Sequence, residues 1–195
     1  MKQAEIDFFD RMAPDWDSHE VNSTPARVRE ILSLLPWRRG MSVLDLGTGT
    51  GVLVPYLAEK GCRVLGIDAS DGMLGRAEEK FGRLPGVEFV RSDFEESPVE
   101  GRFDRVMLYS VYPHLHHPEQ TLQRLLRDNV AEGGDIVIAF PSDEHFVNGI
   151  HRRRKAESDL LPTADALARR ISGWGMHAEV VAATSRAYVV RISNI

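Results

Sequence analysis

The chain has 195 residues, of which 43% are hydrophobic and 27% charged, and its formal net charge is −5. This size fits one domain that buries a core, and the composition excludes an intrinsically disordered chain. No apolar run approaches the ~20 residues of a membrane span, and the single cysteine, Cys62, excludes a disulfide framework or a cysteine metal cluster. The amino terminus lacks the apolar core of a signal peptide, so we expect a cytoplasmic protein. The acidic balance disfavours nucleic acid as its main partner.

Residues 1–36 are predicted to be helical. Thr24 is a suitable helix cap, and Pro25 fits the first turn of the helix that follows. That helix has one apolar stripe, made of Val28, Ile31, Leu32 and Leu35. Pro36 ends it, because proline cannot continue a helix.

Short apolar runs then alternate with amphipathic stretches as far as Phe140. The predicted strands cover residues 43–46, 63–67, 87–90, 103–109 and 136–140. Helices are predicted over 52–60, from the cap at Ser70, and from Pro118 to the glycine pair 133–134. Such alternation predicts a parallel sheet with helices on both faces and right-handed crossovers.

The last part of the chain breaks this alternation. A predicted helix over 164–174 is followed by two strands, 178–183 and 188–192, with about four residues between them. A link this short cannot cross over the sheet, so the two strands are predicted to form an antiparallel hairpin. We expect one α/β domain with a ligand-binding core over 41–140, an insert over 141–162, and a helix plus terminal hairpin over 163–195.

The segment LDLGTGTG, Leu44–Gly51, joins the first core strand to a helix. Its glycines let a ligand touch the main chain, and the helix N-terminus favours an anionic group. The run G-x-G-x-G is followed by Val52, so it departs from the dinucleotide fingerprint G-x-G-x-x-G, and it lacks the Gly-Lys-Ser/Thr of a P-loop. Asp45, just before the first glycine, would repel a pyrophosphate but suits an amino-acid zwitterion.

Two further acids follow the next two strands. Asp68 ends the second strand, where a carboxylate accepts hydrogen bonds from ribose hydroxyls, although the NAD fold uses the same device. Asp93 follows the third strand, where it could accept from an adenine amino group. Simpler alternatives remain open: an ordinary tight turn for the glycines, a helix cap for Asp68 and a surface turn for Asp93.

Taken together, these segments resemble the class I S-adenosylmethionine-dependent methyltransferases of the small-molecule type. VLDLGTGTGVLVPYLAEKG resembles the family's glycine-rich first motif, VLGIDASDGML its ribose segment and FVRSDFEE its adenine segment. FDRVMLYSVYPHL and VAEGGDIVIAF resemble the fourth and fifth strands, with Glu132 in a turn where the family usually has proline. FFDRMAPDWD resembles the N-terminal lid of small-molecule members.

The resemblance implies a Rossmann-like seven-stranded sheet of order 3-2-1-4-5-7-6, with the last strand antiparallel, helices on both faces, and residues 1–36 as a helical lid. It implies S-adenosylmethionine as the cofactor. The implied cofactor contacts are Asp45, Gly47, Thr48, Gly49, Gly51, Asp68, Ala69, Met73, Asp93, Phe94, Tyr109 and, from the lid, Trp16. For Trp16, packing between the N-terminal helices is the alternative role.

Methyl transfer is an in-line displacement that needs orientation and a dry site, and it needs a base only if the acceptor loses a proton. Side chains in the loops beyond the strands are candidates for this role or for acceptor contact: Tyr112, His114, His116, His117, His145, Asn148, His151 and His19. We favour His114, because the family lines its acceptor pocket just past strand four. His-x-His-His alone is a weak metal signal, and we expect no metal. The basic cluster 152–155 is either a solvated helix end or an attractor for an anionic acceptor.

The predicted function is therefore methyl transfer from S-adenosylmethionine to a small-molecule acceptor. Too few residues lie outside the core for a nucleic-acid domain, so we expect neither a nucleic-acid nor a membrane partner; a homodimer is possible. One alternative is a non-catalytic sensor or scaffold that only binds the cofactor. Another is an NAD-linked oxidoreductase, which Val52, Asp45 and the terminal hairpin disfavour.

Overall fold

A computed structural model describes residues 3–19, 25–153 and 160–193, with only the backbone of His19. The cap predicted at Thr24 and the basic residues Arg154 and Lys155 lie outside the described residues. Among the helices in the described part of the chain, none is long and apolar enough to cross a bilayer.

Seven strands form one mixed sheet of order β3-β2-β1-β4-β5-β7-β6. β1 pairs in parallel with β2 and β4, β2 with β3, and β4 with β5, whereas β7 lies antiparallel between β5 and β6. The strands are β1 Ser42–Leu46, β2 Arg63–Asp68, β3 Val87–Arg91, β4 Phe103–Tyr109, β5 Val130–Phe140, β6 His177–Ala183 and β7 Tyr188–Ser193. The predicted fold class, strand order and terminal hairpin are confirmed.

Helices precede, connect and follow the strands. They are α1 Gln3–Met12, α2 Trp16–His19, α3 Pro25–Ser33, α4 Val54–Glu59, α5 Asp71–Phe81, α6 Pro118–Arg124, α7 Glu144–Arg153 and α8 Ala164–Gly173. Short 3-10 turns cover Ala13–Asp15 and Tyr112–His114, and a π-helical turn, Leu125–Asn129, follows α6. Ser70 caps α5 as predicted, because its hydroxyl accepts the N–H of Met73.

The central strands of the sheet are buried on both faces. Successive residues of a strand point to opposite faces: Val43 and Met107 belong to one apolar cluster, whereas Leu44 and Val106 belong to the other. Near-continuous apolar runs in β1, β4 and β5 follow from this double burial. The ends of these strands are therefore held rigidly, which fixes the loops that extend beyond them.

The boundary between α6 and β5 differs from the sequence prediction. The helix predicted to run to the glycine pair gives way at Leu125 to the π-helical turn, and β5 begins at Val130. The glycines lie inside the strand, where the pairing with β4 changes register beyond Phe103. A Cβ atom on Gly134 would lie 2.8 Å from the carbonyl oxygen of Asp104, so glycine is needed for a close strand approach rather than for a helix stop.

The N-terminal segment, residues 3–19, docks on the loops at the carboxyl ends of β1 and β2. The Asp10 carboxylate accepts the Ser70 hydroxyl at 2.5 Å and the Gly72 N–H at 2.9 Å. These two bonds lower the pKa of Asp10, so it is anionic at neutral pH. A Cβ atom on Gly72 would lie 3.1 Å from the Asp10 Cα, so glycine permits this close packing of α1 on α5.

A second carboxylate anchors the end of the same segment. Asp17 accepts the Thr50 hydroxyl at 2.5 Å and pairs with Lys80 at 2.8 Å. Burial disfavours the charged form of Asp17, but Lys80 and Thr50 outweigh this effect and lower its pKa. The N-terminal segment is thus tied both to the glycine-rich loop and to α5.

Candidate active site

A cleft opens between the N-terminal segment and the loops that follow β1, β2, β3 and β4. In an open parallel sheet this is the edge at which ligands bind. The structure brings most of the predicted site residues together in its wall: Trp16, Gly47, Thr48, Gly49, Asp68, Ala69, Met73, Asp93, Phe94, Tyr109 and His114. Asp45 and Gly51 lie behind this wall and are not part of its lining.

The glycine-rich turn adopts a backbone that side chains resist. Gly47 has φ +66°, and a Cβ atom there would lie 2.5 Å from a methyl carbon of Val111. Gly51 has φ +83°, and a Cβ atom there would lie 2.8 Å from a ring carbon of Phe81. Gly49 also has positive φ, at +55°, but nothing lies within 4 Å of its Cβ position. The first and third glycines are thus needed for packing, whereas the second leaves open space.

Asp45 is 1% exposed and is hydrogen-bonded to the next turn of the chain. Its Oδ2 accepts the Thr48 hydroxyl at 2.7 Å. Burial, with a smaller contribution from the charge of Asp68, raises the pKa of Asp45 to about 7 despite that hydrogen bond. Thr48 lines the cleft directly in front of it.

Asp68, at the end of β2, holds the glycine-rich turn in place. Its two carboxylate oxygens accept the N–H groups of Gly49 and Ser70, each at 2.9 Å. Burial raises the pKa of Asp68, and these backbone hydrogen bonds oppose the shift. The side chain lines the cleft, so its remaining lone pairs face a ligand there.

Asp93 and Glu95 lie in the loop after β3. Asp93 lines the cleft and also accepts the N–H of Glu95 at 3.1 Å, so it is both a turn residue and a wall residue. Glu95 also lines the cleft, although no pattern in the sequence singles it out. It accepts the main-chain N–H groups of His116 and His117, each at 3.0 Å, and the Thr121 hydroxyl at 3.1 Å. The charge run FEE is typical of a solvated loop, so only the tertiary contact reveals this role.

Ser110 follows β4 with φ +60°, a left-handed backbone at a residue other than glycine. Its N–H donates to the carbonyl oxygen of Ala139 at 2.8 Å, and its side chain lines the cleft. Residues in this region of backbone space are concentrated at functional sites. Further wall residues that sequence reasoning missed are Phe9, Thr50, Val52, Val111 and Leu115.

The candidate histidines are separated by the fold. Among the histidines whose side chains the structure describes, only His114 lines the cleft; its ring lies 5.7 Å from that of Phe9 and 5.3 Å from that of His151. His116 and His117 are at the surface, and the side chain of His145 is 90% exposed. In the part of the chain that the structure describes, no group of three or more His, Cys, Asp or Glu side chains could hold a metal ion.

Two other candidates have packing roles. Tyr112 is buried in the apolar core behind the cleft, and burial raises the pKa of its hydroxyl. Asn148, in α7, forms two hydrogen bonds with the backbone of Leu161. Its Nδ2 donates to the Leu161 carbonyl oxygen at 2.8 Å, and its Oδ1 accepts the Leu161 N–H at 2.7 Å. Arg152 and Arg153 are exposed at the end of α7 and are not in the cleft wall.

Comparison with known proteins identifies the family to which this chain belongs. Residues 43–134 match the family model described as a methyltransferase domain. Trans-aconitate 2-methyltransferase of Deinococcus radiodurans is 31% identical over 146 residues, which cover 74% of this chain and 53% of that protein. The chain belongs to the class I S-adenosylmethionine-dependent methyltransferases. S-adenosylmethionine is the cofactor of this family.

Solved structures show the same fold as this methyltransferase. DhpI in its complex with S-adenosylhomocysteine has a TM-score of 0.76 at 20% identity, covering 97% of this chain and 94% of that one. A chain from the complex between the Haloferax volcanii Trm112 methyltransferase activator and a methyltransferase has a TM-score of 0.78 at 19% identity, covering 95% and 96%. The chain spans about half the length of the first curated relatives it matches: 53%, 48% and 54%.

Proposed function

We propose that this protein transfers a methyl group from S-adenosylmethionine to a small-molecule acceptor. The observation that carries the proposal is the convergence, in one cleft, of the glycine-rich turn after β1, Asp68 after β2 and Asp93 after β3. An adenosyl amino acid has an amino-acid end, a sugar and a base in a row, and these three elements lie in the same order. An NAD-linked site would need a backbone cradle for a pyrophosphate, next to which Asp45 is unfavourable.

The cofactor assignment follows this order. Asp68 takes the ribose hydroxyls with the lone pairs that Gly49 and Ser70 leave open. Asp93 takes the adenine amino group. The remaining predicted contacts are the backbone of Gly47, Thr48 and Gly49 under the methionine part, Gly51 as the start of the helix, Ala69, Met73 and Phe94 around the adenine, and Tyr109 and Trp16 near the methionine. Asp45 acts on the ammonium group through its hydrogen bond with Thr48, whose side chain stands between them.

The acceptor end of the cleft is mostly apolar. Phe9, Val111 and Leu115 line it together with the imidazole of His114. Phe9 and Trp16 belong to the N-terminal segment and their rings meet at 5.6 Å, so this segment acts as a lid that excludes water. A water-poor pocket suits displacement at a sulfonium methyl, because bulk water competes as an acceptor and screens the reacting charges.

His114 is the proposed base for an acceptor that carries a proton on the reacting atom. A lone pair of the acceptor forms the new bond to the methyl carbon, and the electrons of the breaking carbon–sulfur bond go to the sulfur. The acceptor's proton goes to the His114 imidazole, and S-adenosylhomocysteine is the second product. The protein contributes orientation, dryness and this proton transfer.

The small size of the acceptor rests on two observations. In the described residues the short N-terminal segment forms one side of the cleft, and the relative from Deinococcus radiodurans is named for a small carboxylic acid. The likeness to a chain from a Trm112 complex supports the proposal that this protein has a protein partner. A homodimer is a second proposal, and binding experiments would test both. Cys62 is buried and not in a disulfide, which is compatible with our proposed cytoplasmic location.

Calorimetric titration with S-adenosylmethionine and with NADH tests the cofactor. We expect binding of S-adenosylmethionine and not of NADH; the reverse result would contradict the proposal. Detection of S-adenosylhomocysteine across an acceptor panel of phenols, thiols, amines and carboxylic acids then tests turnover. Tight binding without any product would favour the sensor alternative.

His114→Gln tests the role of the base. We expect turnover of a protic acceptor to fall by about 100-fold, the usual contribution of a general base, with cofactor affinity unchanged. His145→Gln is the matched control, because the exposed side chain of His145 does not reach the cleft. Equal losses of turnover and cofactor affinity in His114→Gln would indicate a packing role instead.

A further inference from the structure

The imidazole of His116 lies between carboxylates from two separate parts of the chain. Its Nε2 is 3.4 Å from Oε2 of Glu5 in α1, and its Nδ1 is 3.3 Å from Oε2 of Glu95 in the loop after β3. One ring thus connects the N-terminal segment to the loop that carries the proposed adenine contact, Asp93. His116 itself is not part of the cleft wall.

The Glu95 side of this bridge is fixed. Its side chain is 4% exposed and is held by the N–H groups of His116 and His117 and by the Thr121 hydroxyl. Burial disfavours the charge, but the two backbone hydrogen bonds outweigh it and lower the pKa of Glu95. Arg124 supports the same loop by donating to the main-chain carbonyl of Glu95 at 3.2 Å. Glu95 is therefore negatively charged at neutral and mildly acidic pH, and this charge lies next to the His116 ring.

The Glu5 side belongs to the lid. Glu5 precedes Phe9 by four residues in α1, so the two side chains lie on one face of the helix. Phe9 lines the cleft and packs against His114 and Trp16. The contact between Glu5 and His116 therefore holds Phe9 over the acceptor end of the cleft.

We propose that His116 is a proton-dependent latch that keeps the N-terminal segment docked. A protonated imidazole donates one N–H to each carboxylate, whereas a neutral ring has a single N–H and turns a lone pair toward one of them. Because only the ring with two N–H groups can donate to both Glu5 and Glu95, the bridge is complete at low pH and loses one of its bonds as the pH rises. The described charged groups at this contact are Glu5 from α1, Glu95 from the β3 loop and Arg124 from α6; the His117 side chain is exposed.

Hydrogen exchange of the α1 amides, in protein without cofactor, tests the latch directly. The protection factors of wild type, corrected for intrinsic exchange, should be about 2- to 5-fold higher at about pH 6 than at about pH 8, the range expected for exposed charge pairs. His116→Gln and Glu5→Gln should both remove this difference. His116→Arg, which stays charged, should keep α1 protected at both pH values.

His117→Gln is the matched control, because it changes the adjacent surface histidine and leaves its backbone bond to Glu95 in place. It should keep the wild-type pH dependence. Persistence of that dependence in His116→Gln or Glu5→Gln, or protection in wild type that rises with pH, would overturn the latch.

The consequence for the cofactor rests on the proposed function. We expect release of S-adenosylhomocysteine from wild type to be slower at about pH 6 than at about pH 8, by the same 2- to 5-fold, and to be fast at both in His116→Gln. If neither S-adenosylmethionine nor S-adenosylhomocysteine binds, the proposed function fails, and the exchange experiment still decides the latch. If both bind but release from wild type does not depend on pH, the latch does not act on the cofactor and this part of the proposal is wrong.

Discussion

Both carboxylate oxygens of Asp68 accept backbone N–H groups, one from Gly49 and the other from Ser70. Each oxygen has a second lone pair, so a ribose can bind without breaking either bond. Asp68 therefore shapes the glycine-rich turn as well as lining the cleft. Its effect on binding and its effect on stability are coupled.

Asp68→Ala should weaken S-adenosylmethionine binding by about 1.5 to 3 kcal/mol, as for loss of a charged hydrogen bond. It should also lower the free energy of unfolding of the cofactor-free protein by about 1 to 3 kcal/mol, because two backbone N–H groups lose their acceptor. Calorimetric titration and urea unfolding measure the two effects. Asp71→Ala, which removes an exposed carboxylate paired with Arg91, is the control and should change both little. Unchanged affinity in Asp68→Ala would remove Asp68 from the site.

The location of single residues could be predicted where their place directly after a strand brings them to the ligand-binding edge of the sheet. The glycines of the turn, Asp68 and His114 belong to this group, since their positions after strands place them at one edge of the sheet. Glu95, Ser110 and Asn148 do not. Glu95 binds backbone groups 21 or more residues away, Ser110 has a left-handed backbone, and Asn148 binds the backbone 13 residues further along the chain. None of these features leaves a local pattern in the sequence.

The glycine-rich turn is the element whose shape the site depends on most. Gly47→Ala adds a Cβ atom that would lie 2.5 Å from Val111 at a positive φ, so we expect a loss of about 2 to 5 kcal/mol in the free energy of unfolding. Gly49→Ala meets no atom within 4 Å and should lose only about 1 to 2 kcal/mol, from the backbone strain.

Adding Val111→Ala should restore part of the stability of Gly47→Ala and none of that of Gly49→Ala, since it removes the colliding methyl groups. Thermal and urea unfolding of Gly47→Ala and Gly49→Ala, each with and without Val111→Ala, measure these changes in stability. Equal losses in the two glycine variants, with no rescue, would mean that the turn moves freely away from β4.

At the scale of elements, short apolar runs predicted six of the seven strands to within one residue, because the central strands are buried on both faces and are apolar nearly throughout. The start of β5 was wrong. Its first residues pair with β4 only through an irregular register, and the apolar stripe of α6 continues into the π-helical turn without a break in the sequence pattern. Only the approach of the Asp104 backbone explains why the strand needs Gly134 there.

The stability of the whole molecule should depend on pH through Asp45. A carboxyl group with a pKa of about 7 in the folded protein and its ordinary 3.8 when unfolded destabilises the fold as the pH rises from about 4 to 7. Asp45→Asn keeps an acceptor for the Thr48 hydroxyl and removes the buried charge. We expect the variant to be more stable than wild type at pH 8, by on the order of 2 to 4 kcal/mol.

Unfolding by urea at several pH values measures this difference, which should shrink below pH 7 and vanish near pH 4. Cofactor affinity should fall at the same time, since the neutral amide no longer attracts the ammonium group. A variant less stable than wild type at pH 8 would show that the Asp45 charge is compensated in the folded protein.

The anchoring of residues 3–19 has a practical consequence for experiments on this protein. Asp10 accepts hydrogen bonds from Ser70 and Gly72 at the start of α5, and Asp17 accepts hydrogen bonds from Lys80 and from Thr50, which lines the cleft. We expect a purification tag fused ahead of Gln3, or trimming of the first helix, to weaken the Asp10 contacts with Ser70 and Gly72 and with them the docking of α1 on α5. Dissociation constants should therefore be measured on protein whose amino-terminal helix is whole and untagged, with any tag placed elsewhere.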